Sequence, residues 1–167
     1  LIALKNMHIH VDLIAGLPFE NLDSFRKSFN SLYSLRPHML QLGFLKLLHG
    51  SQLRNESDSF GCVFDENAPY EVVRTDCLSE DDIAVIHNAE DALERLYNSG
   101  RFRKTLDYLT EKCGCDPFEL FCSLGKLTDG RSNIPLDDYL TLVYNFLSEK
   151  YDNIDFDDVT FSNNQKY

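Results

Sequence analysis

From residue 8 the chain alternates. His8, His10, Asp12 and Ile14 fall on one side of an extended backbone, and Ile9, Val11, Leu13 and Ala15 on the other. The second set is wholly apolar and predicts a packed strand face. The first carries three polar groups and predicts a wet or ligand-facing surface. Gly16 permits a turn that a side chain would hinder, and Pro18 ends the strand. The period then changes. Leu22, Phe25, Phe29, Leu32 and Tyr33 predict a one-faced helix over 22–35, capped by Asn21 or Asp23 and stopped by Arg36-Pro37. Residues 39–48 are almost continuously apolar, as a central parallel strand should be. Strand, helix and strand make a βαβ unit with a right-handed crossover. The turn His49-Gly50-Ser51 lies at the carboxyl end of the second strand, where parallel sheets hold ligands.

Residues 50–78 lose this regularity. Ser, Asn, Asp and Gly crowd positions 55–61 and predict an exposed loop, and 70–75 predict a short strand. A long irregular stretch inside a compact chain marks function or a boundary, which falls near residue 78. The helical period then dominates. Ser79 and Asp82 form a capping pair for a helix over 79–98, with Ile83, Ile86, Leu93, Leu96 and Tyr97 on its apolar side. Asn98-Ser99-Gly100 stops it, and Arg101 to Glu111 form a second helix carrying Phe102, Leu106 and Leu109. Pro117 opens a third and Pro135 a fourth. Residues 1–7 read as a helix end. In the tail, Phe156, Val159 and Phe161 are expected to dock, with fraying after Ser162. The expected division is 1–78, βαβ, and 79–167, helical.

Charge sharpens the division. The formal net charge is −11, most of it after residue 78. With no basic patch to neutralise phosphates, no nucleic-acid partner is expected. Five cysteines in no secreted or zinc spacing suggest a reducing, cytoplasmic setting, and no run is long and apolar enough to predict a membrane span. The chain starts at Leu1 and reads as a piece of a longer protein.

The candidate chemistry is thin. His8 and His10 with Asp12 share a strand face and form a metal-ligand pattern, although a local hydrogen-bonded cluster explains them better. Cys113-Gly114-Cys115 with Cys122 is short of a cluster-binding pattern. Glu80, Asp81 and Asp82 suit the first turn of a helix. Cys62 and Cys77 have no basic neighbour to activate them.

HVDLIAGLP at 10–18 and LRPHMLQLGFLKLLHGSQL at 35–53 resemble the late strands of a radical S-adenosylmethionine barrel, closest to the class with an N-terminal cobalamin-binding domain. Ser51 stands where that class has Thr, and Phe19 where it often has Gly. YEVVRTDCLSEDDI at 70–83 and YNSGRF at 97–102 resemble a C-terminal extension of unknown function carried by some of these proteins. The resemblance implies an α/β fragment of a radical SAM (β/α)6 partial barrel followed by a mainly α-helical domain. It implies a parent Fe–S oxidoreductase using a 4Fe-4S cluster, S-adenosylmethionine and, in this class, cobalamin. The family's Cys-x3-Cys-x2-Cys loop is absent from this chain, so the piece alone would hold no cofactor and be inactive. Adenosyl contact is carried over to Leu13, Ile14, Ala15 and Gly16, and to Leu45, Lys46, Leu47 and Leu48, with no catalytic or metal residue. The implied partners are a missing N-terminal barrel and a cobalamin-binding domain of the same protein. Self-association through exposed strands is also expected. The competing reading is a non-enzymatic helical module whose acidic face binds a basic partner.

Overall fold

The computed structural model describes residues 7–128, 131 and 134–151. The expectations for residues 1–6 and for the tail beyond 151 lie outside them. The chain divides into two compact units, Leu1–His87 and Asn88–Tyr167.

In the first unit, β1 (His10–Ala15) and β2 (Met39–Phe44) pair in parallel, with His10 opposite Met39 and Ala15 opposite Phe44. The alternation predicted for β1 is present: His10, Asp12 and Ile14 are exposed, and Ala15 is buried. α1 (Leu22–Ser34) packs against β1 and buries Phe25, Phe29 and Tyr33. Asn21 starts it through a reciprocal cap: its side chain accepts from Ser24 N at 2.9 Å, and its own N–H donates to Ser24 Oγ at 3.0 Å. Burying three aromatic side chains over the sheet supplies about 2–3 kcal/mol each.

Beyond Phe44 the sheet departs from the expected plan. Residues 45–47 run on and pair antiparallel with 70–72: Val72 N donates to Leu45 O and Leu47 N to Tyr70 O, both at 2.9 Å, with a bridge between Lys46 and Glu71. β3 (Val63–Phe64) and β4 (Val72–Arg74) then pair antiparallel. The short helix α2 (Gln52–Glu56) and a 3-10 turn, Ser57–Phe60, connect the two sheets.

The expected (β/α)6 partial barrel is therefore corrected. A barrel strand hands its free edge to the next parallel strand. Here the edge that leaves β2 meets an antiparallel segment, and the result is two small two-stranded sheets that do not close.

The remainder is helical. α3 (Glu80–Ala92) opens on the expected cap, with Ser79 N donating to Asp82 Oδ2 at 2.9 Å and Asp82 N to Ser79 Oγ at 3.1 Å. It runs into a π-helical turn, Leu93–Asn98, and stops at Gly100, whose φ is +75°. α4 (Arg103–Asp107) also widens into a π-helical turn, Tyr108–Lys112. α5 (Pro117–Gly125) is capped by Asp116, and α6 (Leu136–Lys150) follows Pro135. Leu93, Leu96, Tyr97, Phe102, Leu106 and Phe121 are all essentially inaccessible. Phe102, between α3 and α4, is buried and lies edge-on to Tyr139 of α6 at 6.4 Å. α5 crosses α3 so closely at Gly125 that a Cβ there would overlap the carbonyl of Asn88. No helix among the described residues is long and apolar enough to cross a membrane.

Candidate functional site

The carboxyl end of the β1–β2 pair is built around close approach. Gly16 has φ +88°, and a Cβ on it would run into the side chain of Val72. Glycine is required there both for the turn and for the packing of the antiparallel arm. Ser51 caps α2, accepting from Arg54 N at 3.3 Å. This cap aims Arg54 back at the strand, where its Nη1 donates to Leu47 O at 3.1 Å and its guanidinium lies 5.8 Å from the centre of the Tyr70 ring. Tyr70 itself has φ +59°. A bulky residue rarely adopts that region, and such strain concentrates where a side chain must be aimed.

Arg54, Tyr70 and Leu47 line an open cleft of about 390 Å³. Cys62, Phe64, Asp65 and Glu66 line it too. The Asp65 carboxylate accepts from Asn67 N at 2.7 Å, which holds the acidic loop in place. Burial raises the Cys62 thiol above its ordinary range, helped by the charges of Asp76 and Cys77. Its hydrogen bond goes to Phe60 O at 3.6 Å. A thiol so held stays protonated and is a wall rather than a nucleophile.

A second cluster gathers at the end of β2. His87 stacks on Phe44 with ring centres 3.7 Å apart, and its Nε2 lies 3.1 Å from Glu71 Oε1. Burial lowers His87 below the ordinary imidazole value, against the opposing pull of Glu71. The neutral ring donates from Nε2 to the carboxylate, which leaves Nδ1 as an acceptor.

The positions expected to contact an adenosyl group fall around this end of the sheet. Leu13, Ile14 and Ala15 pair with Leu42, Gly43 and Phe44. Leu45 N donates to Ala15 O at 2.9 Å, Lys46 bridges to Glu71, and Leu48 N donates to Lys46 O at 3.0 Å. Of the eight, Leu47 lines the cleft. His10 and Asp12 meet at 2.8 Å on the exposed strand face, while the His8 ring lies tilted beside His38, with centres 5.0 Å apart. Arg54, Tyr70, Glu71 and His87 went unmarked as site residues in the sequence. The one signal near them was the turn at 49–51, with Ser51 in position to cap.

The metal-binding, iron–sulfur and cobalamin reading that the resemblance implied is corrected. Among the described residues, no group of three His, Cys, Asp or Glu side chains is placed to hold a metal ion. Cys62 and Cys122 are buried, Cys77 and Cys113 exposed, and Cys115 half-buried. The radical SAM resemblance, with its iron–sulfur cluster, adenosylmethionine, cobalamin and oxidoreductase activity, finds no support in this arrangement. The partners it implied, a missing barrel and a cobalamin-binding domain of the same protein, go with it. The acidic interaction face is not distinct either. Its acids sit in first turns, as Glu80, Asp81 and Asp82 in α3, Glu119 in α5, and Asp137 and Asp138 in α6. There they answer the helix dipoles.

No curated protein matches the chain in sequence. A family model, described as a protein of unknown function (DUF4080), matches residues 58–165 and so takes in β3, β4 and every helix from α3 to α6. The chain belongs to the DUF4080 family.

Proposed function

We propose that the strand-bearing part of the chain binds a small zwitterionic molecule in the cleft beyond the carboxyl ends of β1 and β2. One observation carries the reading: a held guanidinium, an aromatic ring and two carboxylates, from Arg54, Tyr70, Asp65 and Glu66, line one cavity of about 390 Å³. That volume suits a small molecule, and the convergent polar groups, beside Leu47 and Phe64, would fix its orientation. An anionic group on the ligand answers Arg54, and an ammonium group answers the two carboxylates. A purely anionic ligand would be repelled by the acids, and a purely cationic one by Arg54. In this reading Leu13–Gly16 and Leu45–Leu48 are the ligand-supporting segments, with Leu47 in contact and the others holding the wall. The division near residue 78 then separates a binding part from a helical part. It is supported by the position of all described strands before that residue. The five free cysteines favour the cytoplasm as the setting.

The test is amide chemical-shift mapping of the full chain with each free amino acid as probe, repeated with the N-acetyl and amide derivatives. Shifts confined to 47–70, lost in Arg54→Ala and weakened when either charge of the probe is blocked, support the reading. Shifts elsewhere, or a response indifferent to Arg54, refute it.

A further inference from the structure

Cys113 and Cys115 flank Gly114 where the π-helical turn after α4 ends. Gly114 has φ +66°, and the backbone folds back on itself, with Cys113 N donating to Tyr108 O at 3.2 Å and Cys115 N to Leu109 O at 3.1 Å. A left-handed helical residue sets the Cα atoms of its two neighbours about 5.4 Å apart. A disulfide spans roughly 4.4–6.8 Å between Cα atoms. Cys113 is exposed, and a Cβ on Gly114 would meet nothing within 4 Å, so a reagent can reach the pair. Cys115 is half-buried, and the Tyr151 hydroxyl at the end of α6 is within hydrogen-bonding reach of its sulfur. Burial, that hydrogen bond and the nearby charges of Cys115 and Cys113 all raise the Tyr151 hydroxyl, so both sulfurs lie within electrostatic reach of it.

We propose that Cys113-Gly114-Cys115 is a thiol–disulfide exchange site for low-molecular-weight disulfides of the glutathione type, with Cys113 as the entering thiol and Cys115 as the resolving one. The Cys113 thiolate attacks one sulfur of the disulfide. The S–S bond breaks, the first thiolate leaves and takes up the proton that Cys113 gave to solvent, and a mixed disulfide remains on Cys113. Cys115, after losing its own proton, attacks Cys113 Sγ, forms the intramolecular bond and expels the second thiol. The chain loses two electrons and two protons, and the small disulfide becomes two thiols. A disulfide across one residue closes a small ring, and strained or exposed disulfides are the readily reduced ones, so the step reverses in excess thiol. Tyr151 is a positioning residue. Its hydroxyl donates to Cys115 Sγ, and that contact is given up when Cys115 turns to Cys113, which favours the reduced pair.

The full chain, with Cys77→Ser to silence the other exposed thiol, is equilibrated with mixtures of glutathione and its disulfide. It is then quenched in acid and read by intact mass and peptide mapping. The expected product lacks two hydrogens, carries no glutathione, maps to the peptide containing 113–115, and forms with release of two glutathiones per disulfide consumed. Cys115→Ser should stop at one glutathione on Cys113. Tyr151→Phe should shift the equilibrium toward the disulfide about fivefold, the worth of one ordinary hydrogen bond. Stable glutathione on both cysteines, an unreacted dithiol in excess disulfide, or oxidation at Cys62 or Cys122 instead overturns the proposal. An equilibrium unmoved by Tyr151→Phe removes Tyr151 from it.

Discussion

Replacing Gly125 by alanine probes the close crossing of α5 and α3. An added methyl group would stand 2.9 Å from the Asn88 Cα and closer still to its carbonyl carbon and oxygen, all of them backbone atoms of α3. Beside them Ala89 and Ala92 are wholly buried, so α3 presents its smallest side chains along this stretch. Two effects oppose each other. Alanine gains about 1 kcal/mol over glycine in a helix. Overpacking costs about 1–3 kcal/mol where side chains can give way, and more where only backbone can move. Because a helix axis must shift here, overpacking wins, and the net loss should be about 2 kcal/mol or more. In a chain of this size that lowers the thermal midpoint by about 4–8 °C. Gly114→Ala is the control. Its φ of +66° strains any side chain, but nothing stands within 4 Å, so its cost should stop near 1 kcal/mol. Calorimetry of both variants decides. Gly125→Ala as stable as the parent, or less damaging than Gly114→Ala, would mean that α3 and α5 do not approach as described.

Phe102→Ala should cost about 3–5 kcal/mol in urea melts, because the ring is inaccessible and edge-on to Tyr139. Arg103→Ala should cost up to about 1 kcal/mol, more than its surface position suggests, since its guanidinium lies 4.5 Å over the Tyr97 ring. His87 has its proton affinity lowered by folding, so the unfolded chain binds more protons just below the ordinary value of about 6.5. Stability should therefore fall as pH drops through that window, and His87→Gln should flatten the slope of urea midpoint against pH. Glu20 is raised by burial, and its Oε2 has no hydrogen-bond partner among the described residues. Its ionised form therefore costs stability at neutral pH, and the cost fades as pH falls through the raised value and is gone below the ordinary value of about 4.3. Glu20→Gln should raise the thermal midpoint at pH 7 and leave it unchanged near pH 4.

Elements whose signals are local were legible in the sequence. Asn21, Ser79, Asp116 and Pro117 start helices where their chemistry says they should, and Gly100 ends one. The alternation of β1 and its parallel pairing with β2 arise from the period of two and the helix between them. The path of the chain after β2 was not legible. The pairing of Leu47 with Tyr70 is nonlocal, and β3 has only two residues, too few for any period to show. This misled the family resemblance: residues 10–53 carry the local marks of a barrel unit, but the neighbour of a strand is chosen by distant residues. The candidate site was hidden for the same reason. Arg54 comes from a helix of five residues, Tyr70 from a strained turn and His87 from the middle of α3, and no spacing in the sequence joins them.

The two π-helical turns at Leu93–Asn98 and Tyr108–Lys112 bear on how this chain tolerates changes in length. A π turn holds one residue more than the α turn it replaces. Removing one exposed residue there, such as Glu94 or Glu111, leaves enough chain to close an ordinary α turn, and the flanking helix keeps its facing. The same deletion within Glu80–Ala92 has no slack to draw on and would rotate Ile86, Ala89 and everything after them by a quarter turn or so, about 100°. Among relatives of this chain, single-residue gaps should therefore gather at these two turns and avoid the regular helices beside them.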